Sequence, residues 1–193
     1  MVKKCGKFVP RHLTNEQKQH RRETCENMLE MVSDESEWFK KIITGDETWV
    51  YAYDPETKQQ SREWCRKDDP NQRRRAFLVT FFDYKGLVHH QFFPEGQTIN
   101  REVYLDVLRS LREAVRKKRP EKWRSIDWML HHDNARPHTA RSVLQFLAKN
   151  NLPVLPQAPY PPDLAPCDLF LFTKMKMELP YWPAYRSAFF VQN

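Results

Sequence analysis

Residues 43–49 read Ile-Thr-Gly-Asp-Glu-Thr-Trp, and Asp46 at their centre opens an aromatic, β-branched run whose composition is that of a strand. Working outward, a second acid, Asp133, ends a short apolar run in LHHDNARPHTA (130–140). A third, Asp168, stands in PPDLAPCDLF (161–170), where an apolar helix is expected to begin. Three carboxylates converging from separate elements are the donor set of a Mg²⁺-dependent phosphoryl-transfer site, because the ion is hard and takes oxygen ligands. Singly, each acid reads as a cap or turn aspartate, and Asp133 ahead of a helix as an N-terminal charge. Together they reverse that reading.

Between the acids the periodicity orders the elements. Thr14 and Gln17 have capping-box spacing ahead of Cys25, Met28, Leu29 and Val32, which recur at helical spacing. Asp34 and Glu37 repeat the pattern, predicting a second short helix that Gly45 can stop. Strands are predicted over 48–53, 76–82 and 87–93, the last two joined through 83–86 as an antiparallel hairpin. From Asn100, an apolar stripe of Val103, Val107, Leu108, Leu111, Ala114 and Val115 predicts a long amphipathic helix. A strand over 126–130 leads to Asp133, and Pro137 suits the first turn of a helix with core face Ala140, Val143, Leu144 and Leu147. Val154 and Leu155 make a brief strand, and prolines stiffen the approach to Asp168. The order β-β-β-α-β-α-β-α predicts an α/β domain, a mixed sheet flanked by helices.

Composition bounds the rest. The 193 residues suit one domain, and 40% hydrophobic content supports a core. Four scattered cysteines form no CxxC pair and no disulfide framework. No apolar segment follows the basic N-terminus and none is long enough to cross a bilayer, so a reducing, intracellular setting is expected. Net charge is +7, with positive runs at 18–22, 73–75 and 116–119. Beside a phosphodiester-processing triad such runs are read as contacts to a nucleic-acid backbone.

Several motifs resemble the catalytic domain of mariner-type transposases of the Tc1/mariner superfamily. They are TGDETWVYAYDPETKQQS (44–61), GLVHHQFFPEGQTIN (86–100), LREAVRKKRPEKW (111–123), HHDNARPHTA (131–140) and VLPQAPYPPDLAPCDLFLF (154–172). FVPRHLTNEQKQHR (8–21) resembles the linker ahead of that domain. The resemblance implies an RNase H-like fold over 41–179 and a linker with one or two helices over 1–40. It implies metal-dependent DNA strand cleavage and strand transfer, with Asp46, Asp133 and Asp168 as catalytic residues and ligands of two Mg²⁺ or Mn²⁺ ions. Partners are then DNA (transposon ends and target) and a second copy in a homodimer, with no membrane, and the compartment is the nucleus. Arg73, Arg74, Arg75, Lys117, Lys118, Arg119, Arg136 and His138 are the candidate nucleic-acid contacts. Arg136 reads equally as a surface residue capping its loop, and His138 and Asn134 as buttresses of the loop after Asp133.

Three departures set up an alternative. No helix-turn-helix pair precedes Val9, and residues 180–193, like the short basic stretch between Trp64 and Ala76, do not follow the family pattern. A truncated or decayed copy is therefore expected, and the alternative function is an inactive remnant that binds nucleic acid without specificity. Asp163 is read as a turn residue and Glu47 as a surface acid. A histidine-based transition-metal site is set aside, because neighbouring histidines on a strand face opposite ways and no compact ligand spacing occurs.

Overall fold

The computed structural model describes residues 13–34, 37–51, 75–94, 96–125, 127–157 and 165–178. Helix α1 spans Asn15–Asp34. Its capping box forms as the sequence predicts: the Thr14 N–H donates to Gln17 Oε1 at 3.0 Å, and the Gln17 N–H to Thr14 Oγ1 at 3.2 Å. The second predicted helix is shorter than expected. Asp34 ends α1, and the next element is a single 3₁₀ turn, Trp38–Lys41, with no side-chain cap from Glu37.

Strand β1 then starts at once and covers Ile42–Tyr51, earlier than the sequence predicts. Gly45 lies inside the strand and stops nothing. Its partner across the antiparallel ladder is Phe81, whose ring occupies the space a side chain would need: a Cβ on Gly45 would stand 2.2 Å from Phe81 Cδ1. Glycine is required here by close approach. Asp46 consequently sits mid-strand opposite Thr80, where strand pairing fixes its direction.

Strands β2 (Arg75–Asp83) and β3 (Gly86–Phe93) form the expected hairpin, turning at Gly86 with φ +111°. Helix α2 (Arg101–Lys118) is capped by Asn100, whose side chain accepts from the Val103 N–H at 2.9 Å. Its buried stripe is Tyr104, Val107, Leu108, Leu111 and Val115, with Val103 and Ala114 at the margin. A short helix α3, Pro120–Ser125, follows without having been expected. Strand β4 (Met129–His131) returns parallel to β1, which demands the crossover that α2 and α3 supply. Leu130 also bridges to Val154 in parallel, so the brief strand at Val154 is present as one bridge.

Helix α4 is Arg141–Lys149, starting four residues after Pro137, which lies instead in a turn. Val143 and Leu147 are buried as expected, but Leu144 is 52% exposed. The chain later re-enters as a π-helix, Cys167–Phe172, continuing into α5, Thr173–Glu178.

The sheet order is β3-β2-β1-β4, the mixed RNase H-like arrangement. One face carries the core: Ile43, Val79, Phe81, Val88 and Leu130 meet Tyr104, Leu108 and Leu111 of α2 and Val143 of α4. The other face of β1 packs against the π-helix. At the hairpin end, Arg119 grips Asp83 through two bonds of 2.8 and 2.9 Å, and the Asp83 side chain is fully buried. This fork joins the end of α2 to the β2–β3 turn. The expectations for 1–12, 52–74, Asp163 and the 180–193 tail lie outside the described residues.

Candidate active site

Alternation along β1 divides two adjacent acids between the two faces of the sheet. Thr44, Asp46 and Thr48 face the π-helix, while Ile43, Gly45, Glu47 and Trp49 face α2. Asp133 follows β4, parallel to β1, and its loop reaches the acids from the sheet edge. Asp168 lies in the first turn of the π-helix, exposed, with Thr173 Oγ1 donating to its carbonyl at 2.8 Å. π-helical turns recur at functional sites because the extra residue re-aims a side chain.

Asp46 feels both other aspartates. Burial pushes the Asp46 carboxyl up to about 7, the Glu47 N–H bond at 2.7 Å opposes it, and the negative charges of Glu47, Asp168 and Asp133 add to the rise. Buried carboxylate charge without a cation is costly, and holding a proton is the remedy available to Asp46. Behind it, burial drives the Cys167 thiol well above its ordinary range, with Asp46 adding to the effect.

Asp133 is anchored differently. Burial would raise it, but the bond from His138 and the Ala135 N–H at 3.0 Å outweigh that and hold it below its ordinary value. His138 Nδ1 is 2.6 Å from Asp133 Oδ1, and His138 Nε2 is 3.2 Å from Glu47 Oε1. Burial alone would lower the His138 pKa; the two carboxylates more than reverse this and raise it to about 9. The ring is stacked on Tyr104 with centroids 3.9 Å apart, and the Tyr104 hydroxyl is 2.6 Å from His132 Nδ1. Burial, helped by the charge of His138, lowers His132 to about 3, so it is neutral. Asn134 completes the brace, donating to the Gln157 carbonyl at 2.8 Å.

Among the described residues, the group whose ligand atoms all lie within 4.8 Å of one another is Glu47, Asp133 and His138. A protonated ring with a carboxylate at each nitrogen has no lone pair for a metal. That trio sets two carboxylates against one cation, so its net negative charge still reaches Asp46.

Three sequence readings change here. Glu47 is no surface acid: its side chain is 15% exposed, beside a cavity of about 310 Å³ walled by Trp49, Phe77 and Pro137. His138, 3% exposed, is enclosed between carboxylates and stands out of reach of a DNA phosphate; it buttresses the loop instead. Arg119 is engaged by buried Asp83 and serves the fold. Of the other candidate contacts, Lys117, Lys118 and Arg136 are exposed, Arg75 begins β2, and Arg73 and Arg74 lie outside the described residues. The signals for Glu47 and Tyr104 were present: Glu47 shares its strand face with Ile43 and Trp49, and Tyr104 stands at helical spacing from Val107, Leu108 and Leu111.

Comparison with known proteins agrees with this fold. A family described as transposase (partial DDE domain) matches residues 54–125. The Mariner Mos1 transposase of Drosophila mauritiana is 34% identical over 180 residues, covering 90% of this chain and 52% of that protein. The histone-lysine N-methyltransferase SETMAR of Homo sapiens is 29% identical over 179 residues, covering 89% and 26%. The chain thus spans about half the length of the first of these relatives and about a quarter of the second. The crystal structure of the Mos1 catalytic domain superposes with a TM-score of 0.74 at 32% identity, covering 89% of this chain and 76% of that one. A pre-cleavage Mos1 transpososome gives 0.77 at 32% identity, covering 93% and 54%. With a 3-2-1-4 sheet, acids delivered from β1, the end of β4 and the π-helix, and a solved catalytic domain matched over three quarters of its length, the chain belongs to the mariner-type transposases, within their RNase H-like catalytic domain.

Proposed function

We propose that this chain is the catalytic domain of a DNA transposase, performing divalent-metal-dependent strand cleavage and strand transfer, with Asp46, Asp133 and Asp168 as the metal ligands. The observation that carries the reading is the delivery of three carboxylates from β1, the end of β4 and the π-helix around Asp46, which burial, and then the charges of Glu47, Asp168 and Asp133, push up to about 7. An all-oxygen, over-charged donor set fits a hard cation. Mos1 structures described as carrying Mg and Mn support the choice of ion, and a Mos1 complex with its left transposon end supports DNA as substrate.

When bound, such an ion supplies Lewis acidity at phosphate and an activated oxygen nucleophile, and a pair of ions would serve both attacking and leaving oxygens. The chain's own residues do the rest. Asp46 surrenders its proton as the ligand set assembles. Asp133, already ionised and held by His138 and the Ala135 N–H, offers a carboxylate of fixed orientation. Asp168, exposed on the π-helix, completes the set from a separate element. Lys117, Lys118 and Arg136 are the exposed cations that would meet the phosphate backbone. Action on chromosomal DNA would place the protein in the nucleus, and bringing two transposon ends together would use two copies.

The test is cleavage of a transposon-end duplex in Mg²⁺ or Mn²⁺. Asp133→Asn keeps shape and removes charge, and is expected to abolish the activity. Cleavage that persists in that variant, or in excess EDTA, rejects the assignment.

A further inference from the structure

We propose that Glu47 is a positioning residue: it holds the imidazole of His138, and that ring holds the carboxylate of Asp133 in the orientation a ligand needs. The inference rests on the reading of Asp133 as a metal ligand. An imidazole has two nitrogens, and when one grips a functional group the partner of the other decides how the ring lies. Here Nδ1 faces Asp133 Oδ1 at 2.6 Å, and Nε2 faces Glu47 Oε1 at 3.2 Å. The ring is buried against Tyr104 at 3.9 Å between centroids and against His132 at 5.0 Å, nearly parallel to the latter. Stacking fixes its plane, and Glu47 fixes its rotation within that plane.

Strand alternation explains why Glu47 does this from a distance. It points to the α2 face, while Asp46 next to it points to the π-helix face. Among the hydrogen-bonded contacts of its side chain, the one that leads toward Asp133 runs through His138. Among the polar side chains described around the ring, Tyr104 offers its face and turns its hydroxyl to His132. The Asp133 carbonyl, 3.3 Å from Nδ1, lies on the Asp133 side. That leaves Glu47 as the partner seen at Nε2.

Three substitutions separate positioning from charge. Glu47→Gln keeps the reach and an acceptor oxygen but loses the charge. Glu47→Asp keeps the charge and loses the reach. Glu47→Ala loses both. Two measurements are made on the full chain: Mn²⁺ affinity from the paramagnetic resonance of free Mn²⁺, and the His138 ring N–H proton signal in the metal-free protein.

Glu47→Ala and Glu47→Asp are expected to weaken Mn²⁺ binding by about 10–100-fold and to lose the ring signal. Glu47→Gln is expected to keep most of both, which also shows that the site survives substitution. Wild-type affinity in Glu47→Ala overturns the proposal. So does a Glu47→Gln variant as weak as Glu47→Ala, since Glu47 would then act by its charge. A wild-type chain that binds no Mn²⁺ while Glu47→Ala still loses the ring signal rejects the metal reading and supports the link from Glu47 to Asp133.

Discussion

Burial raises the proton affinity of Asp46 on β1, and the charge of Asp168 on the π-helix adds to the rise, although most of the chain separates the two residues. The fold presses these acids together at a cost in stability, a common signature of a functional site.

That cost gives the first prediction. The folded pKa of Asp46 is raised to about 7 from 3.8, so its contribution to stability is fully present below 3.8 and is lost as pH rises through 7. Asp46→Asn removes this titration and keeps the oxygen that accepts from the Glu47 N–H. In EDTA the variant should match wild type near pH 4 and exceed it by about 1–3 kcal/mol at pH 8. Urea unfolding at both pH values measures this. A variant no more stable than wild type at pH 8 refutes it.

Gly45 yields the second. An added Cβ would stand 2.2–2.3 Å from the Phe81 ring, which is 1% exposed and has nowhere to go. Gly45→Ala should cost about 1–3 kcal/mol by overpacking. The added Phe81→Leu change removes the ring atoms in question, so the double variant should lose less than the sum of the singles. Additive losses would show that the contact is not the cause.

Much of this was readable in the chain, and the misreadings share a cause. The Thr14–Gln17 box, the β2–β3 hairpin and α2 are local: cap, turn and stripe lie within a few residues of what they specify. The early start of β1 is not local. Gly45 reads as a helix stop until Phe81 is known to cover it. Pro137 reads as a helix start until His138 is seen pinned between Asp133 and Glu47, which keeps 136–139 a turn, with the His138 and Thr139 N–H groups both donating to the Ala135 carbonyl. Asp46, Asp133 and Asp168 were legible as acids in telling contexts. Glu47 reads as a surface acid until its contact with His138 is known.

The third prediction concerns Arg119. Its side chain is 11% exposed and forms a fork on an Asp83 carboxylate with no exposure. Removing one partner of a buried pair strands the other charge. Arg119→Ala should therefore cost about 3–5 kcal/mol. Replacing both residues by apolar ones should cost less, since the buried Asp83 carboxylate is removed with its partner, although Lys122, 4.0 Å away, then loses an anionic neighbour. Thermal unfolding of the single and double variants decides it; equal losses would argue that packing of the arginine stem dominates.

Arg119 also sharpens the last prediction, on DNA. It stands in one basic run with Arg116, Lys117 and Lys118, yet those three are exposed at the end of α2, Arg116 paired with Glu113, while Arg119 is turned onto Asp83. Phosphate contacts release counterions and carry no sequence information, so this chain should bind duplex DNA with steep salt dependence and little preference for transposon ends over random sequence. Lys117→Ala and Lys118→Ala should each reduce the salt slope by about 1. Arg119→Ala should leave the slope unchanged at temperatures where it stays folded. Titrations of both duplexes across a range of salt test all three points. A slope reduced by Arg119→Ala would return that residue to the DNA surface, and a preference for transposon ends above about 4 kcal/mol would reveal base readout by this chain.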